Sequence, residues 1–464
     1  MQPGVGFSDM EFYYDEDGQK VTGEYYCLSD NGYGSSDNSA DYPLNIQHLK
    51  IQKPFTYRHG ESTFDPYTEV TNLGTALVHD PNNYIQWENG ADIQVTYNIP
   101  DETWNDYKEL RVLTGRDFDL EGLAVMSQKC AIAGDELMPA VFMINPQTGE
   151  VLSPFVRTPD IDISTGKLLK DKFLSTRRDK VHCTIDALEK NECPSVDSEL
   201  VDESDYRKID PSGGYEGFSL LNDGTIAAFI EKNSGDTTLQ DEPGIRVYKV
   251  RPGDCDTPGV DAVPVFESFM GFYPFEINGG AIADVSTIPG SSRFVAVIER
   301  NGFPNGHMFP APIMPANNLC IVDLEDVDKE TMVFQNKKCI LNYHDIDDPW
   351  DTDGNGIFKY AQTQVTNEAL IIVDDYCMVA GTDTNFPWTN QFELNEESDN
   401  VQYFQEVSDA RFMVVCFIEP IFNTAEHNFY KDNFAAPSLS VDEDDNGGEA
   451  SDCQSIGKYR TVLT

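Results

Sequence analysis

Short apolar runs broken by turn residues dominate this chain. RFVAVIER, ALIIVDDYCMVAG and ARFMVVCFIEP are rich in Val, Ile, Phe and Tyr, as strands are, and Gly, Pro, Asn and Asp punctuate them. Helical periodicity is sparse; its best candidates are 167–176 (KLLKDKFLST) and 182–190, both within a long insertion. Four segments share one layout: a carboxylate, an apolar run, a turn, a second apolar run, and a carboxylate fifteen positions after the first. They run from Glu121 to Glu136, Glu216 to Glu231, Asp284 to Glu299 and Glu368 to Asp383. Each reads as a β-hairpin, with turns such as Asn222-Asp223-Gly224 and Pro289-Gly290.

A hairpin brings its two ends to one edge, so each unit presents a pair of acids on a rim. The units start 95, 68 and 84 residues apart, which suits four-stranded blades with insertions. A sandwich would not bring four hairpin ends to one mouth. The expectation is an all-β fold: a β-propeller of six or seven blades with few short helices in insertions. It spans residues 1–464 as one domain, with 432–456 an acidic loop or tail. The closing GKYRTVLT reads as a returning strand. The bland reading of the acids is turn punctuation at strand ends.

Charge sharpens the picture. The chain has 80 Asp+Glu against 32 Lys+Arg, a formal net charge of -48, which argues against nucleic acid as a partner. Most of these acids are a solvated surface. Those that cluster repel one another and persist only if cations neutralise them or protons stay on. Calcium takes six to eight oxygens in irregular geometry. Asp30, Asn31, Glu121, Glu136, Glu216, Glu231, Asp284, Glu299, Glu368, Asp383 and Asn385 are therefore candidate ligands at the mouth. A separate run, Asp351, Asp353, Asn355 and Gly356, has the spacing of the first half of a calcium loop, but Gln362 stands where a glutamate closes one. An ordinary Asp/Gly turn is the other reading.

For catalysis the candidates are Glu216 or Glu231, to take a proton from water, and Arg300. Arg300 either clamps a phosphate oxygen or pairs with the rim acids. His307 is either an acid–base group or a surface histidine. No G-x-S-x-G elbow and no phosphate-cradling loop occurs.

Ten cysteines without a CxxC pair favour disulfides over zinc, with Cys183–Cys193 and Cys320–Cys339 the plausible local bridges. Cys377 and Cys416 lie in apolar strands, where a buried thiol is equally compatible. No stretch is apolar enough to span a membrane, and MQPGVGFSDM does not read as a signal peptide. The chain is read as mature or trimmed, and secreted or at a cell surface. It carries no Asn-x-Ser/Thr sequon.

Several motifs, in order, resemble the family called esterase-like activity of phytase. They are SDNGYGSSDNSADY (29–42), LTGRDFDLEGL (113–123) with GDE (134–136), GGYEGFSLLNDG (213–224), GGAIADVSTI leading to VIER (279–300), and TDTNFP (382–387). The resemblance implies a propeller, a secreted or surface location, and metal-assisted hydrolysis of phosphate or carboxylate esters. GDELMP, FIEKN and the threonines Thr382 and Thr384 depart from the family's usual residues beside the acids, while the acids themselves remain. The functional expectation is a calcium-dependent phosphoesterase-like propeller acting on a small phosphorylated or ester substrate. The competing expectation is a non-catalytic, calcium-stabilised binding or structural propeller. Neither oligomeric state nor substrate follows from the residues.

Overall fold

The computed structural model describes residues 7–29, 39, 42–51, 70–85, 91, 101–175, 206–209, 213–232, 242–275, 280–300, 317–343, 346, 366–383, 391–395, 400–404, 412–417, 421–422 and 459–463. Among them are five four-stranded antiparallel sheets, each a meander in chain order. Blade I holds β1 (Phe7–Tyr14), β2 (Lys20–Ser29), β3 (Asn45–Ile51) and β4 (Val70–Leu77). After helix α1 (Asp101–Leu110), blade II holds β5 (Leu120–Ser127), β6 (Cys130–Asp135), β7 (Ala140–Ile144) and β8 (Val156–Arg157). A three-stranded side sheet follows: β9 (Pro159–Asp162), β10 (Lys167–Ser175) and β11 (Tyr206–Lys208). Blade III holds β12 (Tyr215–Leu220), β13 (Ile226–Ile230), β14 (Ile245–Arg251) and β15 (Val265–Tyr273). Blade IV holds β16 (Ala281–Thr287), β17 (Phe294–Arg300), β18 (Asn317–Asp323) and β19 (Lys337–Asn342). Blade V starts with β20 (Thr366–Ile372) and β21 (Cys377–Asp383) and makes an excursion through the ribbon β22 (Gln391–Asn395) and β23 (Asn400–Phe404). It ends with β24 (Phe412–Phe417) and β25 (Tyr459–Leu463).

The first strands of the blades lie side by side in the order β1, β5, β12, β16, β20, and β20 returns to β1. The described residues form a five-bladed propeller, and the six or seven blades expected are not found among them. Between the blades lie α1 and the side sheet, and the β22–β23 ribbon interrupts blade V. Five apolar clusters fill the seams between successive blades, including the seam of blade V with blade I. There Phe7 stacks on Phe412 with ring centroids 5.0 Å apart. The C-terminal strand β25 pairs with β24 inside blade V, so packing rather than a shared blade closes the ring.

Local chemistry explains the strands. Asp223 accepts from Thr225 N at 3.0 Å and Gly224 takes φ 80°, which closes the β12–β13 turn. The expected helix at 167–176 is strand β10. A turn at 162–166 folds it onto β9: Gly166 N donates to Asp162 O at 2.7 Å and Gly166 takes φ 65°. Turn chemistry outweighed the helix-like Leu/Lys spacing, and 182–190 lies outside the described residues. Helix α1 went unread because its apolar face is short; among its described side chains Trp104 is the buried one.

Cys320–Cys339 is bonded across β18 and β19, and Cys377–Cys416 is bonded across β21 and β24. Cys130–Cys255 ties blade II to blade III, while Cys27 is a buried free thiol. Cys183 and Cys193 lie outside the described residues. No described helix is long and apolar enough to cross a membrane.

Seam packing between blades II and III is tight at Gly134. A Cβ there would strike the Phe218 ring and lie 2.9 Å from Cβ of Tyr215. Gly134→Ala is expected to cost about 1–3 kcal/mol, read as a lower urea midpoint at unchanged slope.

Candidate metal centre and active site

Each innermost strand starts with a β-bulge. Register shifts fall between Phe7 and Asp9, Leu120 and Gly122, Tyr215 and Gly217, Ile282 and Asp284, and Asn367 and Ala369. The extra residues are Ser8, Glu121, Glu216, Ala283 and Glu368. A bulge re-aims its side chain out of the pleat, and in three blades that side chain is a glutamate.

On the second strand, Asp135, Ile230, Glu299 and Thr382 pair opposite the residue before the bulge. The next residue in each case is Glu136, Glu231, Arg300 or Asp383. Asp284 and Glu299 therefore do not occupy the positions of the other acid pairs, although their spacing is the same. The longer turn through Pro289 and Gly290 shifts blade IV, and Arg300 stands where its neighbours have an acid.

Arg300 organises the mouth. Its Nη2 lies 3.1 Å from Glu231 Oε1, 3.2 Å from Glu368 Oε1 and 3.4 Å from Glu216 Oε1, and its side chain is 18% exposed. Lys232 Nζ pairs with Glu231 Oε2 at 2.7 Å. Oxygens of Glu136, Glu216 and Glu231 lie within 4.8 Å of one another, as do those of Asp119, Glu121 and Glu136. Glu136 belongs to both triads. Asp119 and Lys232 escaped the sequence reading. Two-residue spacing from Glu121 could have signalled Asp119, and Lys232 directly follows Glu231.

Burial and the Glu231 carboxylate push Glu136 up to about 8, against the pull of Lys232, Asp119 and Arg300. Burial and Glu231 also raise Glu216, with Arg300 opposing. Burial works against the charge of Arg300, but Glu368, Glu231, Glu216 and Glu136 hold its proton more firmly than usual.

Asp284 and Glu299 are used differently. Asp284 accepts from Leu370 N of the next blade at 2.5 Å, and burial with nearby Asp9 raises its carboxyl. Asp9 likewise accepts from Leu123 N of blade II. Glu299 is buried against Lys337 Nζ, which lies 4.5 Å from the Tyr273 ring centroid. Glu299 is also close to Cys320 and Cys339, but that disulfide offers no thiolate to a metal. Asp383 lies in β21, and its side chain is outside the described set. Asp30, Asn31, His307, Asp351, Asp353, Asn355 and Asn385 lie outside the described residues.

The residues present fit a hard cation. Both triads offer carboxylate oxygen alone, the donor chemistry of calcium and magnesium sites. Arg300 and Lys232 sit on the Glu216–Glu231–Glu368 side. Asp119, Glu121 and Glu136 are thus the group that would hold a metal without displacing Arg300.

A search of curated proteins finds no match to the chain. Among solved structures, a Bacteroides uniformis protein proposed to be a 6-phosphogluconolactonase shares 9% identity, with a TM-score of 0.27 over 87% of this chain and 88% of that one. A GH74 xyloglucanase from Xanthomonas campestris shares 11%, with a TM-score of 0.28 over 82% and 52% of the two chains. The GH74 enzyme of Niastella koreensis shares 10%, with a TM-score of 0.29 over 90% and 58%. The chain thus spans little more than half the length of the two GH74 proteins. The phytase-like family, described as esterase-like activity of phytase, matches residues 3–386, and the chain belongs to it.

Proposed function

We propose that this chain is a secreted, calcium-dependent hydrolase of phosphate esters, working as a single propeller domain at the mouth around Arg300. The observation that carries the reading is the pair of carboxylate triads sharing Glu136 beside one partly buried arginine. Asp119, Glu121 and Glu136 would hold the cation. When bound, it would supply Lewis acidity toward phosphoryl oxygen and toward water.

The protein's own groups do the rest. Glu216 and Glu231, held in place by Arg300, face the mouth as proton acceptors for the attacking water. Attack forms a new P–O bond and the ester P–O bond breaks; the leaving alkoxide takes up the proton that the glutamate accepted from water. Burial around the triads keeps bulk water from screening these charges. Disulfides on three pairs of cysteines accord with secretion. Asp383, Asn385, the Asp351–Asn355 run and the Asp30–Asn31 segment remain candidate ligands of further ions.

One observation favours a second reading. Arg300 already faces three glutamates, as an ion that locks blades III, IV and V would. On that reading the protein is a calcium-stabilised binding or structural propeller.

Phosphate release from 4-nitrophenyl phosphate decides between them. Calcium-loaded protein is expected to turn it over and chelator to stop it. Glu216→Gln should lose about a hundredfold or more in kcat, and Glu443→Gln in the acidic tail should match wild type. A calcium-loaded protein inert toward phosphate and carboxylate esters would leave the structural reading, with Glu216→Gln lowering stability alone.

A further inference from the structure

A line of peptide hydrogen bonds runs along the mouth from blade II to blade IV. Glu136 N donates to Asp119 O at 2.8 Å, Gly214 N to Glu136 O at 2.9 Å, Glu231 N to Gly214 O at 2.8 Å and Ile282 N to Glu231 O at 3.0 Å. Asp119, Glu136 and Glu231 carry carboxylates of the two triads, and Ile282 pairs in register with Glu299, the residue before Arg300. Gly214 is the member of this line with no side chain, and it makes the step from blade II to blade III.

The two triads meet at this glycine. It is bonded to Glu136, which both triads share, and to Glu231, and Glu216 follows it by two residues. There is no room at 214 for anything larger: a Cβ would lie 2.3 Å from Glu136 O and 2.5 Å from Asp135 O. Nor can β12 withdraw toward blade IV, because a Cβ on Gly217 would already stand 2.6 Å from Val285 N. Tyr215 anchors the segment once more. Its hydroxyl lies 2.6 Å from Thr158 Oγ1, which donates to Pro139 O at 2.7 Å. Thr158 has one proton and gives it to a carbonyl that can only accept, so Tyr215 is the donor. This closeness brings like charges together, which costs energy in the empty fold and is recovered when a cation binds.

We infer that Gly214 is the positioning residue of the mouth: by joining the Glu136 and Glu231 peptides it holds the cation-binding triad in register with the carboxylates that face the attacking water. The inference rests on the metal-dependent reading above, because it assigns the spacing to a cation. With alanine at 214, the Glu136 carbonyl would have to recede by about 0.7 Å or more before the contact became tolerable. Asp119, bonded to the Glu136 amide, would be disturbed with it.

The test is calcium affinity by isothermal titration of the intact protein, with kcat for 4-nitrophenyl phosphate beside it. Gly214→Ala is expected to bind calcium at least about tenfold more weakly and to lose about a hundredfold in kcat, the scale of a displacement of roughly 1 Å at a reacting centre. Gly253→Ala is the comparison. A Cβ there would lie 2.0 Å from Ala262 O, an equally close carbonyl. Gly253 follows β14 at the end away from the mouth, since Val250 pairs with Ile226 and Val247 with Phe229. Gly253→Ala should lower the urea midpoint and leave calcium affinity and kcat at their wild-type values. Should Gly214→Ala fail to fold, hydrogen exchange in wild type carries the test. Calcium should slow the amides of Gly214 and Glu231, both outside the cation-binding triad, by at least about tenfold.

Wild-type calcium affinity in Gly214→Ala, or exchange at those two amides unmoved by calcium, would overturn the positioning role. An equal loss of affinity in Gly253→Ala would overturn it too, because any weakened blade would then do the same. Wild type that binds no calcium would overturn the metal reading and this inference together. Weaker calcium binding by Gly214→Ala, in a protein inert toward every ester, would keep the positioning role and remove only the hydrolysis.

Discussion

Arg300→Met is expected to lower the stability of calcium-free protein by about 3–5 kcal/mol, the typical cost of removing one partner from a buried charge cluster. Three glutamates, Glu216, Glu231 and Glu368, lie within 3.4 Å of its guanidinium nitrogen. Methionine fills similar space and removes the charge, so those carboxylates would face each other across the seams of blades III, IV and V. They can then only protonate, separate or capture a cation. Calcium should accordingly recover most of the loss, and its stabilising effect should be larger in Arg300→Met than in wild type. Arg300→Lys should fall between the two, because an ammonium group keeps the charge but loses the planar fork. The measurement is the urea midpoint in chelator and in calcium. Calcium-free Arg300→Met as stable as wild type would mean that the cluster is neutral without its arginine.

The same arginine shows how far the residues alone could be read. The hairpins were legible because two apolar runs around a Gly or Asn/Asp turn leave few alternatives, and the family resemblance covers what the match to 3–386 covers. Glu121 with Glu136, and Glu216 with Glu231, were legible because each bulge glutamate and its partner are fifteen positions apart; in blade V the same spacing pointed to the bulge residue Glu368. Blade IV broke the rule. Its turn is longer, so Asp284 and Glu299 met the spacing while Ala283 and Arg300 occupied the positions. Blade I was hidden for another reason: its bulge residue is Ser8, which carries no charge to notice.

Blade number depended on what fills the gaps between hairpins, and spacing says nothing about that. Among the described residues, Pro159–Asp162, Lys167–Ser175 and Tyr206–Lys208 form a side sheet, not a blade, because the 162–166 turn folds β10 back onto β9. Cys130–Cys255 is bonded across 125 residues, a pairing that follows from blades II and III being neighbours and from nothing local.

Calcium-free protein is expected to lose stability as pH rises from about 5 to 9, with Tm falling by about 5 °C or more. Glu136 and Glu11 each titrate near 8 in the fold, Glu136 through burial and then Glu231, and Glu11 through burial against the pull of Lys20. Glu216, Asp9 and Asp284 are raised for the same leading reason, burial. The unfolded chain gives up these protons near the ordinary carboxylate value, about 4. Between the two values the folded state binds more protons, so this contribution is complete below the unfolded pKa. It is lost as pH climbs through the folded one. Surface repulsion among the chain's many acids acts in the same direction, but 0.5 M salt screens it and leaves the buried groups largely untouched. The slope should therefore survive in high salt. Glu136→Gln and Glu11→Gln should each flatten it. Calcium should also flatten it, most strongly above pH 8, because a bound cation takes the place of the protons at Glu136. A Tm that is level or rising over this range in chelator and salt would show that the buried carboxylates are already ionised and paired without metal.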